Sequence, residues 1–267
     1  MIRLEACHAL ITGASAGIGR ELARQLGGRA AGLVLVARRR QRLEELRDEL
    51  LARHPQLQVE LQTIDLSRHA EVDALMEWAM GRRPAIDFLI NNAGLGDLGS
   101  FATSASARIE SMLEVNMVAL TRLTRALLPA MIAQKRGAIL NVSSSASFLP
   151  IPNFAVYAAT KAYVTSFTEG LRGELQGTGI HISALCPGPV KTEFTDVARR
   201  PSSGAGIPGP TAVYVAVEQV VADALHGVEH NRPIVIPGAL MKFGMLLVRL
   251  TPLALLRLGS RLFAKPV

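Results

Sequence analysis

The sequence predicts one α/β domain, a parallel sheet of about seven strands doubly wound with helices on both faces. Three observations carry that expectation. Short apolar, β-rich runs alternate with longer amphipathic ones, the pattern of repeated strand and crossover-helix units. The 267 residues contain no Pro/Gly/Ser-rich linker or charge block that would divide them, and that length suits a single full core. A glycine-rich turn, Gly13 to Gly19, stands between the first strand-like run and the first helical one.

Taken in order, strands are expected at 7–13, 32–38, 59–66, 86–91, 138–143, 181–187 and 233–237. Helical periods fall between them, including 40–53, where acids are paired against arginines, 109–134 and 156–176. Their lengths suit right-handed crossovers between parallel strands. Residues 191–210, which include Pro201-Ser-Ser-Gly-Ala-Gly-Ile-Pro-Gly-Pro210, read as a flexible segment at the carboxyl edge of the sheet. A substrate lid and an inert surface loop both fit that segment. Cys7 and Cys186 sit in apolar strand-like runs, which favours buried reduced thiols and a reducing compartment. The first strand begins near Cys7 and leaves no room for a leader peptide, so a cytoplasmic location is expected.

The formal net charge of +7 is concentrated at one end. Arg232, Lys242, Arg249, Arg257, Arg261 and Lys265 follow Glu229, the last acid of the chain. Aromatics make up only 4% of the residues, and basic and aromatic residues do not interleave, so nucleic-acid binding is not expected. His226 and His230 share helical spacing without a further ligand nearby, which suits a surface helix better than a metal site.

Thr12-Gly13-Ala-Ser15-Ala-Gly17-Ile18-Gly19 follows the first strand and opens a helix, where backbone can approach a pyrophosphate and the helix N-terminus faces its charge. The same residues contain Gly13-x-Ser15-x-Gly17, the pattern of a serine-hydrolase nucleophile elbow. Placement argues against the hydrolase. An elbow on the first strand would lack an upstream Gly-rich oxyanion loop, and Gly19 would have no purpose. At the end of the second strand, Ala37 stands where an acid would select NAD, and Arg38-Arg39-Arg40 follow. Arginine attracts a 2′-phosphate that a carboxylate would repel. The expected cofactor is therefore NADP(H), with Arg38 leading and Ser15 and Arg39 assisting. A solvated helix start pairing these arginines with Glu44 and Glu45 is the alternative.

Tyr157 and Lys161 are four residues apart, so one helical turn sets them on the same face. Free tyrosine titrates near ~10, and an adjacent ammonium stabilises the phenolate. Neither Tyr163, followed four residues on by Phe167, nor Tyr214, followed by Glu218, repeats the arrangement. Ser144 lies thirteen positions upstream within Asn141-Val-Ser-Ser-Ser-Ala-Ser147.

Together these features resemble the short-chain dehydrogenase/reductase family from about Leu10 to Pro237, and the resemblance implies a Rossmann-type fold. Gly13-x-x-x-Gly17-x-Gly19 is similar to the family's cofactor loop, Asp65-Leu66 to its adenine contact, and Asn91-Asn92-Ala93-Gly94 to its fourth-strand motif. Pro187-Gly188 with Thr192 matches its nicotinamide-side segment, while Asn116, Ser144, Tyr157 and Lys161 match its catalytic tetrad. The resemblance implies carbonyl/alcohol interconversion by hydride transfer, with Tyr157 as proton donor and Ser144 hydrogen-bonding the substrate oxygen. It also implies that Lys161 lowers the tyrosine pKa and binds the nicotinamide ribose. Asn116 would hold a water linking the lysine to solvent, unless its amide merely stabilises a helix kink. A homo-oligomer, dimer or tetramer, is expected. A protein that holds NADP(H) without turnover, as sensor or membrane adaptor, is the competing class, and the intact tetrad argues against it.

Phe148 to Phe154, Leu95 and Phe194 suggest an apolar pocket for a lipid-like or other hydrophobic carbonyl, and core packing accounts for the same residues. Residues 1–238 thus form the oxidoreductase domain and 239–267 an apolar, basic extension. The extension contains no charge-free stretch long enough to span a bilayer. Its leucines and cations suit an anionic membrane interface, and packing over the substrate pocket or a subunit interface suits the leucines equally.

Overall fold

The computed structural model describes residues 4–200, 214–252 and 254–257. Seven strands form one parallel sheet: β1 (His8–Thr12), β2 (Gly32–Ala37), β3 (Gln58–Thr63), β4 (Phe88–Asn91), β5 (Gly137–Val142), β6 (Ile180–Leu185) and β7 (Ile234–Val235). Their order is β3-β2-β1-β4-β5-β6-β7. The helices are α1 (Gly17–Gly27), α2 (Arg40–Arg53), α3 (His69–Gly81), α4 (Ser106–Leu113), α5 (Leu120–Gln134), α6 (Ala155–Glu174), α7 (Phe194–Ala198), α8 (Val217–Glu229) and α9 (Ala239–Leu250).

The strands inside the sheet are buried on both faces because helices cover both, whereas the edge strand β3 is polar on one face. Ala9 and Ile11 of β1 join one core with Leu22 and Leu26 of α1, Leu43 and Leu46 of α2, and Val221 and Leu225 of α8. Leu10, between them, turns to the other core with Val72 and Leu75 of α3 and Leu123 and Leu127 of α5. This period-two division is the strand's own geometry. Burial also pushes the Cys7 thiol up to about 12 and raises Cys186, so both behave as small apolar side chains.

Several boundaries differ from the sequence expectation for local reasons. The third strand stops at Thr63 rather than reaching Leu66, because the Asp65 carboxylate accepts from Ser67 N at 3.0 Å and Ser67 Oγ at 2.7 Å and closes a turn. The seventh is only two residues long, bracketed by Pro233 and Pro237, whose missing N–H groups cannot extend a ladder. The helix expected over 109–134 begins earlier and contains a π-helical turn, Glu114–Ala119, between α4 and α5. This run is long and apolar enough to cross a membrane, but Met112, Val115, Ala119, Leu123 and Leu127 face the core. It serves as a core helix here. Of the 191–210 segment, residues 201–210 lie outside the described residues.

A buried polar chain crosses the sheet interior. Asn91 Nδ2 donates to Thr124 Oγ1 at 3.0 Å and Asn141 Oδ1 at 2.9 Å, and Asn141 Nδ2 donates to Thr168 Oγ1 at 2.9 Å. Asn91 and Asn141 are register partners of β4 and β5, so the chain ties α5, the sheet and α6 together. Asn141→Ala should cost about 1–3 kcal/mol, because it leaves one buried N–H of the Asn91 amide without its acceptor. The measurement is the shift in urea midpoint at unchanged m.

Candidate active site

At the carboxyl edge of the sheet, the chain leaves β1 toward one side and β4 toward the other, opening a crevice at the switch point. Thr12 joins the two strand ends. Its hydroxyl accepts from Asn92 N at 2.9 Å and Ala93 N at 3.0 Å, and donates to Ile90 O at 3.2 Å. Asn92 Nδ2 donates back to Thr12 O at 2.8 Å. Gly13 takes φ +68°, and a Cβ there would lie 2.8 Å from Asn92 Nδ2. At Gly19 a Cβ would meet both Asn92 Nδ2 and Gly13 O at 2.4 Å, so this glycine lets α1 close against the β4 turn. Thr12 was not among the residues expected from sequence to bind; the available signal was a polar residue ending an apolar strand.

A basic wall lies beyond the turn. Arg38 is exposed, with Nη1 3.9 Å from Asp65 Oδ2. Burial pushes the Asp65 carboxyl up, but two hydrogen bonds from Ser67 and the charge of Arg38 outweigh it and hold the group below its ordinary range. Arg39 Nη2 donates to Ser15 Oγ at 3.2 Å, and Arg39 Nη1 to Glu193 Oε2 at 2.8 Å. Arg42 grips the other Glu193 oxygen. These bonds, first from Arg39 and then from Arg42, hold Glu193 below the usual carboxylate range. Glu193 is a site residue that sequence reasoning missed, because only folding brings it 154 positions back to Arg39. Ser15 has a guanidinium for its partner and not an imidazole, so the activated nucleophile of a serine hydrolase is not assembled on it.

Opposite this wall, α6 presents Tyr157 and Lys161 from successive turns. Tyr157 is buried, stacked on Phe154 at 4.2 Å between ring centroids and tilted against Phe194 at 5.4 Å. Lys161 Nζ lies 5.7 Å from the Tyr157 ring centroid and donates to Val142 O at 2.8 Å. Gly94 makes room for it, since a Cβ there would lie 3.3 Å from Nζ. Burial dominates both groups. It pushes the Tyr157 phenol up to about 12, against a hydrogen bond from Ser144 that lowers it, and pushes Lys161 down to about 8. Desolvation thus leaves the tyrosine above its ordinary value, opposite to the lowering by Lys161 that the resemblance implied.

Asn116 lies behind the cleft, buried in the π-helical turn. Its Oδ1 accepts from Leu95 N at 2.8 Å, while Nδ2 donates to Leu95 O at 3.0 Å and Thr160 Oγ1 at 3.0 Å. With the side-chain amide engaged this way, Asn116 positions the residue after Gly94 and braces α6 one residue before Lys161. Ser143, the neighbour of Ser144, bonds to Lys161 O at 2.8 Å and Thr165 Oγ1 at 2.7 Å. That leaves Ser144, with Oγ 3.1 Å from Ala146 N, as the serine facing the tyrosine.

One cavity of about 1210 Å³ connects the basic wall, the glycine turn and Tyr157. Gly13, Ser15, Gly17, Ile18, Arg38, Arg39, Asp65, Leu66, Asn92, Ala93 and Gly94 line it, with Ser144, Tyr157, Lys161, Pro187, Gly188 and Thr192. Gly19 and Asn116 support it from behind. Its far end is apolar, formed by Leu95, Ile151, Phe154 and Phe194 together with Met241 and Met245 from α9. The extension therefore contributes a wall, an arrangement its sequence left open beside the membrane reading. Arg261 and Lys265 lie outside the described residues. His226 and His230 lie tilted against each other with ring centroids 3.9 Å apart, and no cluster of three metal-ligating side chains occurs among the described residues.

A family profile described as short chain dehydrogenase matches residues 7–202. The ketoacyl reductase HetN of a Nostoc species is 36% identical over 214 residues, covering 79% of this chain and 74% of that protein. A short-chain dehydrogenase from Sphingobium yanoikuyae in complex with NADPH superposes with a TM-score of 0.80 at 32% identity, covering 98% of this chain and 97% of that one. A Burkholderia phymatum short chain dehydrogenase/reductase in complex with NAD also reaches a TM-score of 0.80, at 26% identity over 100% of this chain and 98% of that one.

Lys161 binds its proton more weakly when folded, at about 8, than its ordinary 10.5. The unfolded chain therefore holds more protons between those values, and this residue's contribution makes stability rise with pH across that window. Below it, the cost of the buried charge is fully present. Relative to Lys161→Met, the wild type should gain up to about 3 kcal/mol between pH 8 and 10.5. Urea unfolding of both proteins across that window reads the difference.

Proposed function

The chain belongs to the short-chain dehydrogenase family and is an oxidoreductase of that fold, and on that premise we propose that it reduces a hydrophobic carbonyl to the alcohol with NADPH, with Tyr157 as the proton donor. The observation that carries the proposal is the meeting of Ser144, Tyr157 and Lys161 with the basic wall of Arg38, Arg39 and Ser15 in one cavity.

The residues fit a dinucleotide. The turn at Gly13 and Gly17 presents backbone with no side chain in the way, at φ values of +68° and +53°, and Gly17 opens α1, whose N-terminus favours phosphate. Arg38 and Arg39 offer charge-assisted bonds to an additional phosphate. Asp65, Asn92, Gly94, Pro187 and Thr192 would flank the rest of the molecule. When bound, the nicotinamide group supplies or takes up the hydride.

The chain's own residues handle the proton and the oxygen. Ser144 donates to the substrate oxygen and fixes it beside the phenol. Tyr157 then transfers its proton as charge develops there. A phenol pushed up to about 12 remains protonated at neutral pH, as a proton donor in the reducing direction requires. Lys161, held by Val142 O, supplies positive charge behind the tyrosine as the phenolate forms. Phe154 and Phe194 exclude water and favour an apolar substrate.

A panel of carbonyls and alcohols followed by NADPH absorbance tests the reading. Tyr157→Phe should abolish turnover while leaving cofactor binding within about twofold, because only the proton-transfer group is removed; retention of most of the activity would sink the mechanism, and absence of turnover by the wild type would favour a binding protein. NADPH should bind more tightly than NADH by about 1–3 kcal/mol. In calorimetry Arg38→Asp should narrow or reverse that gap, while Glu193→Gln should widen it by releasing Arg39 from a competing carboxylate. Equal affinities of the wild type for both cofactors would remove the basis for the assignment.

A further inference from the structure

The helix α9 has two unlike sides. At 3.6 residues per turn, Met241, Met245 and the half-buried Val248 point toward the protein. Met241 packs so closely on Gly188 that a Cβ there would lie 2.3 Å from its methyl carbon. Phe243, Leu246, Leu247 and Leu250 point the opposite way, each at least half exposed. Six of the eleven exposed large hydrophobic residues in the described chain fall between Leu240 and Leu255, which makes this a patch and not scatter. Lys242 and Arg249 project from the flank between the two sides, Arg249 lying 5.7 Å over the Phe148 ring. No acid follows Glu229.

The rim of the cavity belongs to the same surface. Val197, Leu240 and Leu255 are 57%, 56% and 58% exposed, and all three also line the cavity that holds Tyr157. A substrate entering past them would first meet whatever covers the leucines of α9. Twelve residues are too few to span a bilayer, but such a helix lies well in the headgroup plane with its apolar side down and its cations at phosphate level. A second copy of the chain suits the patch less well. Two-fold pairing of this helix would oppose Lys242 and Arg249 with their own equivalents and no acid to balance them.

We propose that α9 seats the protein on an anionic lipid bilayer with the cavity mouth against the lipid, and that its carbonyl substrate is a long-chain, membrane-dissolved molecule. The substrate class rests on the carbonyl-reductase reading above, whereas the membrane seat does not. In the reaction, hydride from NADPH adds to the carbonyl carbon and the Tyr157 proton to its oxygen, giving the alcohol and NADP⁺.

The test uses the full chain, vesicles of phosphatidylcholine with phosphatidylglycerol, and vesicles of phosphatidylcholine alone. The intact protein should sediment with the anionic vesicles at low salt and be released as salt rises. The double variant Leu247→Glu, Leu250→Glu alters only outward residues that do not line the cavity, and it should lose that binding. Its kcat/KM for a long-chain ketone presented in anionic vesicles should fall about tenfold, with a short water-soluble carbonyl turned over as before. Lys242→Glu with Arg249→Glu should lose the preference for anionic vesicles. Failure of the intact protein to sediment at low salt overturns the proposal. Conversion of an oligomer to monomers by the leucine variant, with no vesicle binding by the wild type, assigns the face to a subunit interface instead. An equal loss on both carbonyls overturns entry from the bilayer. Turnover of neither carbonyl beside normal vesicle binding overturns the reductase reading and leaves the membrane seat intact.

Discussion

The close approach of the β1 and β4 ends governs the rest of the molecule. Thr12, Gly13, Gly19 and Asn92 interlock there within hydrogen-bonding and van der Waals distance, at the point where the strand order turns outward in both directions. A side chain at either glycine would separate α1 from the β4 turn. That separation would shift the turn that faces a phosphate and the Asn92-Ala93-Gly94 segment that borders Lys161. Both halves of the cleft thus depend on a few ångströms of backbone contact, which makes Thr12 and Gly19 structurally decisive although neither carries chemistry.

The second determinant is desolvation. Tyr157 and Lys161 share one buried pocket, and burial drives their proton affinities apart, the phenol up and the amine down. Each neutral form is favoured in a medium that stabilises charge poorly. This is the reverse of the helper-cation picture read from their four-residue spacing alone, in which the ammonium would have lowered the phenol. The lysine's bond to Val142 O and the brace of Asn116 on Leu95 and Thr160 keep the pair in place. Phe154 and Phe194 keep it dry.

The two ends of the cleft differ in character because different elements build them. Arg39, from the turn after the second strand, and Arg42, from the second helix, meet Glu193 from the segment after the sixth strand, while Arg38 faces Asp65. The other end is walled by Leu95, Ile151, Phe154, Phe194 and the Met241 and Met245 side of α9, all apolar. Asp97 pairs with Arg108 of α4 and with Arg200 just after α7, tying those segments together. A polar, charged end beside an apolar one is the arrangement needed to hold a dinucleotide and a hydrophobic partner at once.

The sequence by itself determined the sheet, the position of the glycine turn and the shared face of Tyr157 and Lys161, since each is local or periodic, whereas Asn116 and Ser144 entered through the family resemblance. Apolar runs of strand length specify strands whatever their neighbours, and Tyr157 and Lys161 share a face because a helix has 3.6 residues per turn. It also determined that Arg38 and Arg39 stand at the carboxyl end of the second strand. Only the tertiary structure decided what those groups touch. The clasp of Glu193 on Arg39 joins residues 154 positions apart, and no local pattern encodes such a pairing. The interlock at Gly19 and the engagement of the Asn116 amide likewise depend on atoms brought together by folding. So does the double role of α9, whose leucines and methionines are alike in hydropathy and separate into wall and surface only when the helix lies across Gly188. The proton affinities of Tyr157 and Lys161 follow the same rule, because burial is a property of the folded molecule and not of the spacing.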